Sequence, residues 1–232
     1  MLQDSIRKKC PRCSKFSFAL SAFIRRLFAL ATPCERIFNR LPDDKTRIAT
    51  LNSRFPDCVC EGSTTSKYSP YPVHDDEVLA RFVFDPMHVS RDGSLKPSLF
   101  SHVIHNGCSI QRDTIATPQE LSTFVKYFLE RQLAKKPDCK WHSVVTTTCQ
   151  KIRALKQDDS TRRSVCVFDT AERANQAHGE LFQTQYVIDE ADQRELIKLL
   201  LDSFSDSFTP SSFRHGEVLN ALSPSLREHC SS

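Results

Sequence analysis

Between residues 75 and 205 short β-prone runs alternate with two strongly apolar helical periods, in no regular strand–helix–strand repeat. That irregular order implies an α+β domain: a small mixed sheet packed by two main helices. The β-prone runs are Glu77–Phe84, Cys108–Arg112, Trp141–Cys149, Ser164–Thr170 and Thr184–Ile188. Thr117-Pro118-Gln119-Glu120 predicts a helix start, with Thr as N-cap, Pro at the first helical position and Glu three residues after the cap. Leu121, Phe124, Val125, Phe128, Leu129 and Leu133 supply its buried face, and it stops before Pro137. A second helix begins at Asp189-Glu190-Ala191-Asp192, where acids suit the macrodipole, and carries Leu196, Ile197, Leu199, Leu200 and Phe204. Five glycines in 232 residues disfavour Gly-rich phosphate cradles and multi-bladed β architectures. Sixteen Phe, which carry no polar group to satisfy, point to buried packing.

Charge divides the chain. The first 54 residues hold twelve Lys/Arg against four Asp/Glu, and the remaining 178 hold twenty against twenty-four. A basic segment on a mildly acidic body points towards an acidic partner surface. We therefore expect a basic helical arm over residues 1–54, a linker over 55–74, a core domain over 75–205 and a flexible Ser-rich tail over 206–232. Phe16, Leu20, Phe23, Ile24, Leu27, Phe28, Ala31 and Phe38 form the stripe of a basic amphipathic helix, which Pro33 should end or kink at about Thr32. Arg7, Lys8, Lys9, Arg25 and Arg26 are the candidate binding residues of the arm. Phe16–Ala31 is broken by Arg25 and Arg26, so no transmembrane segment is expected. An Arg-rich transit segment, removed within about the first 40 residues, is a competing reading.

Ten cysteines are scattered along the chain, several in apolar, strand-like contexts such as that of Cys166. With no convincing secretory peptide, they are expected to be free thiols in a reducing cytoplasm. Cys10-Pro-Arg-Cys13 has zinc-knuckle spacing, and Cys58-Val-Cys60 could complete four thiolates. The C-x-C half and the long intervening segment depart from common zinc modules, so incidental thiols compete with zinc. His102, His105 and Cys108 would share a helix face, with Asp85 or His88 joining them; a helix stop at Asn106-Gly107 explains the same residues without a metal.

A third constellation joins Asp169, at a strand end, to His178 in the next element. Asp169 could orient His178 as an acid/base, and Arg112 could hold an anionic substrate group. A turn acid and a surface histidine account for the same pattern. The basic stretch Lys151, Arg153, Lys156, Arg162 and Arg163 is either solvated or a second phosphate-contacting surface.

The stretch Gly93-Ser-Leu-Lys96-Pro97-Ser-Leu-Phe100, then Cys108-Ser-Ile-Gln-Arg112, with Asp169 and Asn175-x-x-His178 downstream, resembles small uncharacterised bacterial proteins that accompany mobile elements and anti-phage defence genes. The resemblance covers roughly residues 77–190, implies a prokaryotic accessory protein and carries over no catalytic residue. Together these features lead us to expect a cytoplasmic, non-enzymatic accessory subunit whose acidic body binds protein partners and whose arm docks on a larger assembly or on nucleic acid. The alternative is a nuclease or other phosphoryl-transfer enzyme built on Arg112, Asp169 and His178.

Overall fold

The computed structural model describes residues 31–157, 161–205 and 228–229. The expected tail and the arm residues Arg7, Lys8, Lys9, Cys10, Cys13, Arg25 and Arg26 lie outside them, apart from Glu228 and His229 in the tail. The fold is α+β, as its order of elements implies. Two short helices, α1 (Pro33–Arg40) and α2 (Lys45–Arg54), precede strands β1 (Val78–Asp85) and β2 (Cys108–Arg112). Then come α3 (Pro118–Leu133), β3 (Lys140–Thr148), α4 (Cys149–Arg153), β4 (Val165–Asp169), β5 (His178–Gln183) and α5 (Glu190–Ser205). The five strands form one sheet in the order β3-β1-β2-β5-β4, every neighbouring pair antiparallel.

Two helices start by the same chemistry. At α3, Thr117 Oγ1 accepts the Glu120 N–H at 3.2 Å while Glu120 Oε2 accepts the Thr117 N–H at 2.9 Å, with Pro118 at the first position. Thr32-Pro33-Cys34-Glu35 repeats that capping box at α1. Pro33 therefore opens a helix: the N–H it lacks is one that no helical carbonyl would have accepted at that position. Glu120 does more than cap, since its Oε1 accepts the Gln176 N–H at 2.9 Å and ties α3 to the turn before β5.

Strand alternation sorts the core into two layers. On one face Leu79, Val83, Cys108, Ile110, Val145, Val165, Val167 and Leu181 pack on Cys149 and Ile152 of α4 and on Leu196, Leu200 and Phe204 of α5. The opposite face is covered in two pieces. Under α3, Leu121, Val125 and Leu129 bury Ala80, Phe82, Phe84, Trp141 and Val144. At the far side Cys34, Ile37, Ile48 and Leu51 of α1 and α2 cover Cys166, Phe168 and Phe182. Gly107 sits where this second cover meets the sheet; its φ of +96° leads into β2, and a Cβ there would lie 2.7 Å from the Phe182 ring.

The expected arm, linker and core do not separate at residues 54 and 74. Residues 33–54 are part of the body, and residues 55–74 are fastened to it. Cys60 is bonded to Cys34 in α1, and Cys58 to Cys166 in β4. These bonds also correct the free-thiol expectation for four of the ten cysteines; Cys108, Cys139 and Cys149 are buried and unbonded. Among the described residues, no helix is long and apolar enough to cross a membrane.

Candidate functional site: the polar seam between the two helical covers

On the face that α1–α2 and α3 share, the register brings four polar side chains between the two apolar pieces. Ala80 pairs with Gln111, Gln111 with His178, Ser109 with Glu180, and Glu180 with Phe168. Gln111, His178 and Glu180 are therefore neighbours on one surface, and each is at least nine-tenths buried. Thr170 joins them from beyond the end of β4: its Oγ1 lies 2.9 Å from His178 Nδ1. Because Nδ1 also lies 3.2 Å from the Thr170 carbonyl, which can only accept, the consistent arrangement has Nδ1–H donating to Thr170.

Arg47, from α2, overlooks this seam. Its Nη1 is 3.0 Å from Asp43 and 4.0 Å from Glu180 Oε2, Nη2 donates to the Leu41 carbonyl, and the guanidinium sits 5.5 Å from the centre of the Phe38 ring. Burial pushes the Glu180 carboxyl up to about 8, Asp43 adds to the effect and Arg47 opposes it. Burial likewise lowers His178, against the pull of Glu172. A neutral imidazole beside a carboxyl held largely as the acid is an arrangement that can take up or release a proton.

The linkage runs in a definite direction. Glu180 binds its proton more tightly folded than unfolded, so its contribution to stability is complete below about pH 4.5 and is lost as pH rises to about 8. The Glu180→Gln variant should therefore gain on the parent across that window, by up to about 1.4 kcal/mol per pH unit. Urea unfolding at pH 5, 6, 7 and 8 reads the difference, and a gap that stays constant across the series refutes the assignment.

The expected Asp169–His178 pair does not form. Asp169 pairs in register with Gly179, so it and His178 project from opposite faces, as the two-residue period of a strand requires. Asp169 instead belongs with Arg112, which is fully buried. Arg112 donates Nε and Nη2 to the two oxygens of Glu77 at 2.8 and 2.7 Å, and Nη1 to the Tyr71 carbonyl at 2.9 Å. Nη1 also lies 3.3 Å from Asp169 Oδ1, and the guanidinium stacks 4.7 Å from the Tyr71 ring centre. Its three nitrogens are taken and enclosed, so it cannot hold an anionic substrate group as expected. Burial outweighs Arg112 and carries the Asp169 carboxyl up to about 6.

The metal expectations also change. Cys58 and Cys60 have given their thiolates to disulfides with different partners, so they cannot complete a four-thiolate zinc site with Cys10 and Cys13. Cys58, Glu61 and Cys166 do place ligand atoms within 4.8 Å of one another, but the two sulfurs are bonded together. Glu61 is already matched by Arg153 at 3.0 Å, by Arg163 at 2.6 Å and by the Val167 N–H. Two guanidiniums on one carboxylate fit an anion already satisfied rather than a zinc ligand.

His102 and His105 lie at or beside a 3-10 turn, Ser101–Ile104, where His102 Nδ1 is 2.8 Å from Asn106 Oδ1, while Cys108 is buried at the start of β2. His88 is buried with its Nδ1 accepting the Phe84 N–H, and burial lowers it to about 3. Neither these histidines nor Asp85 gather into a metal cluster among the described residues. In the second basic stretch, Arg153 and Arg163 turn inward to Glu61, and Arg162 reaches Asp57 and Tyr186.

Glu180, Gln111 and Thr170 are the members of the seam that sequence reasoning missed. A strand pattern over residues 178–183 would have paired His178 with Glu180, but both faces of β5 are covered, so no alternation marks it. No family model, curated protein or solved structure matches this chain.

Proposed function

We propose that this chain is a non-enzymatic accessory subunit of a multi-protein bacterial assembly, a rigid body that delivers a basic contact segment to an acidic protein surface. The observation that carries this reading is the division of labour along the chain. The three apolar clusters of the body are built from residues 34 to 204, and its buried or half-buried arginines Arg47, Arg81, Arg112, Arg153 and Arg163 are engaged with acids or backbone carbonyls. Residues 1–30 carry seven Lys/Arg, among them Arg7, Lys8, Lys9, Arg25 and Arg26, against one Asp. The two disulfides favour an oxidising compartment over the cytoplasm as the place of action. A phosphoryl-transfer enzyme built on Arg112, Asp169 and His178 is disfavoured, because Arg112 is enclosed and Asp169 and His178 face apart.

The test compares the full chain with one starting at residue 31, both tagged at the C-terminus and recovered from the native host. The full chain should bring down a defined protein, the complex should survive nuclease, and 1 M salt should dissolve it by screening to about 3 Å. The truncated chain should keep its fold and lose that protein. Equal recovery by both chains overturns the proposal, and a complex dissolved by nuclease replaces the protein partner with nucleic acid.

A further inference from the structure

The outer edge of β4 is closed without a strand. With β5 on one side, residues 165, 167 and 169 turn backbone groups away from the sheet, and side chains fill those places. Glu61 accepts the Val167 N–H, Arg163 Nη2 donates to the Val165 carbonyl at 3.1 Å, and Thr65 and Ser69 donate to the Asp169 carbonyl. All of these except Arg163 come from residues 57–69, and the Cys58–Cys166 bond fastens that segment to the middle of the strand. Asp57 adds a hydrogen bond from the Tyr186 hydroxyl at 2.6 Å. Native sheets protect their edges because an open row of backbone groups is a template for another strand.

We propose that residues 57–69 are a displaceable plug, and that opening both of its disulfides with a dithiol, Cys58–Cys166 to β4 and Cys34–Cys60 to α1, frees the β4 edge to pair with β4 of a second copy of this chain. The exchange balances at each bond: two thiols of the reductant become one disulfide, the protein disulfide becomes two thiols, and two electrons and two protons pass to the protein, so that freeing the plug consumes two dithiols. A second copy is the occupant the strand itself fits. A two-fold axis through Val167 sets Val167 against its own counterpart and Val165 against Asp169, so the outward groups of residues 165, 167 and 169 meet their complements in the other chain.

The side chains agree with that choice. Val165 and Val167 belong to the layer under α4 and α5, and Cys166 and Phe168 to the layer under α1 and α2. A copy related by the axis presents the same two apolar layers to the same two faces. The pairing uses the freed edge of both copies and stops at a dimer. At the other end of the sheet, β3 already gives its Trp141 N–H to the His229 carbonyl at 2.8 Å.

Sedimentation of the full chain at about 20 μM, with and without dithiothreitol, tests this. The oxidised chain should sediment as a monomer, the reduced chain at twice that mass, and reoxidation should restore the monomer. Val167→Pro, which removes the central N–H and blocks pairing, should keep the reduced chain monomeric. Amide exchange gives an independent reading on the parent protein: in the reduced dimer the Val167 N–H should stay protected, and dilution to monomer should raise its exchange at least tenfold. A reduced chain that remains monomeric, a dimer that survives Val167→Pro, or Val167 exchange unchanged on dilution each overturns the proposal.

Discussion

Replacing Arg112 with methionine should cost the protein about 3–5 kcal/mol of stability. Arg112 is fully buried between Glu77 and Asp169, which are themselves almost entirely shielded from water. Methionine fills much of the same volume but leaves two carboxyls without their cation, and the stranded charges rather than the lost contacts set the size of the effect. Lysine should not rescue it, because one ammonium cannot reproduce the parallel bonds from Nε and Nη2 to Glu77. Removing all three charges together, as Arg112→Met with Glu77→Leu and Asp169→Leu, should recover much of the loss. Equilibrium urea unfolding at pH 7 checks the set, and a loss below about 1 kcal/mol for Arg112→Met contradicts the buried network.

The two disulfides should contribute unequally. In the chain-entropy account a crosslink stabilises by restricting the unfolded chain, and its worth grows with the loop closed. Cys58–Cys166 spans a separation of 108 residues, worth about 5 kcal/mol, while Cys34–Cys60 spans 26, worth about 3.5 kcal/mol. The Cys58→Ser/Cys166→Ser variant should accordingly be the less stable of the two double-serine variants. Thermal and urea unfolding below 1 μM, where self-association does not add to stability, gives the comparison. A Cys34→Ser/Cys60→Ser variant that proves the weaker would show that native packing in the α1–α2 cover, rather than loop closure, sets the order.

Where local chemistry decides structure, the chain could be read directly. Thr117-Pro118-Gln119-Glu120 and Asp189-Glu190-Ala191-Asp192 mark their helices within a residue or two, because caps and first-turn charges act over one turn. Cys108–Arg112 reads as a strand and is one. Thr32-Pro33-Cys34-Glu35 carries the same starting signal as α3, yet the longer apolar stripe running past it reads as a helix that Pro33 ends or kinks. Long-range pairing was not legible. Nothing near Cys58 or Cys60 in sequence names Cys166 or Cys34, so the segment between residues 55 and 74 read as a linker although it is doubly anchored. The seam is hidden for a related reason: β5 is covered on both faces, Gly179 and Glu180 dilute its β character, and the strand signal falls instead on Thr184–Ile188.

The placing of α1 and α2 has a consequence for how the protein is made. These helices are the first described elements to leave the ribosome, yet the sheet surface they cover is supplied by Cys166, Phe168 and Phe182, more than a hundred residues later in synthesis. Until β4 and β5 emerge, Ile37, Ile48 and Leu51 have no strand to rest against, and Cys34 and Cys60 can meet before Cys166 exists. The nascent chain thus carries an uncovered apolar hairpin while more than a hundred further residues are made, and the last described strands decide when that hairpin is buried.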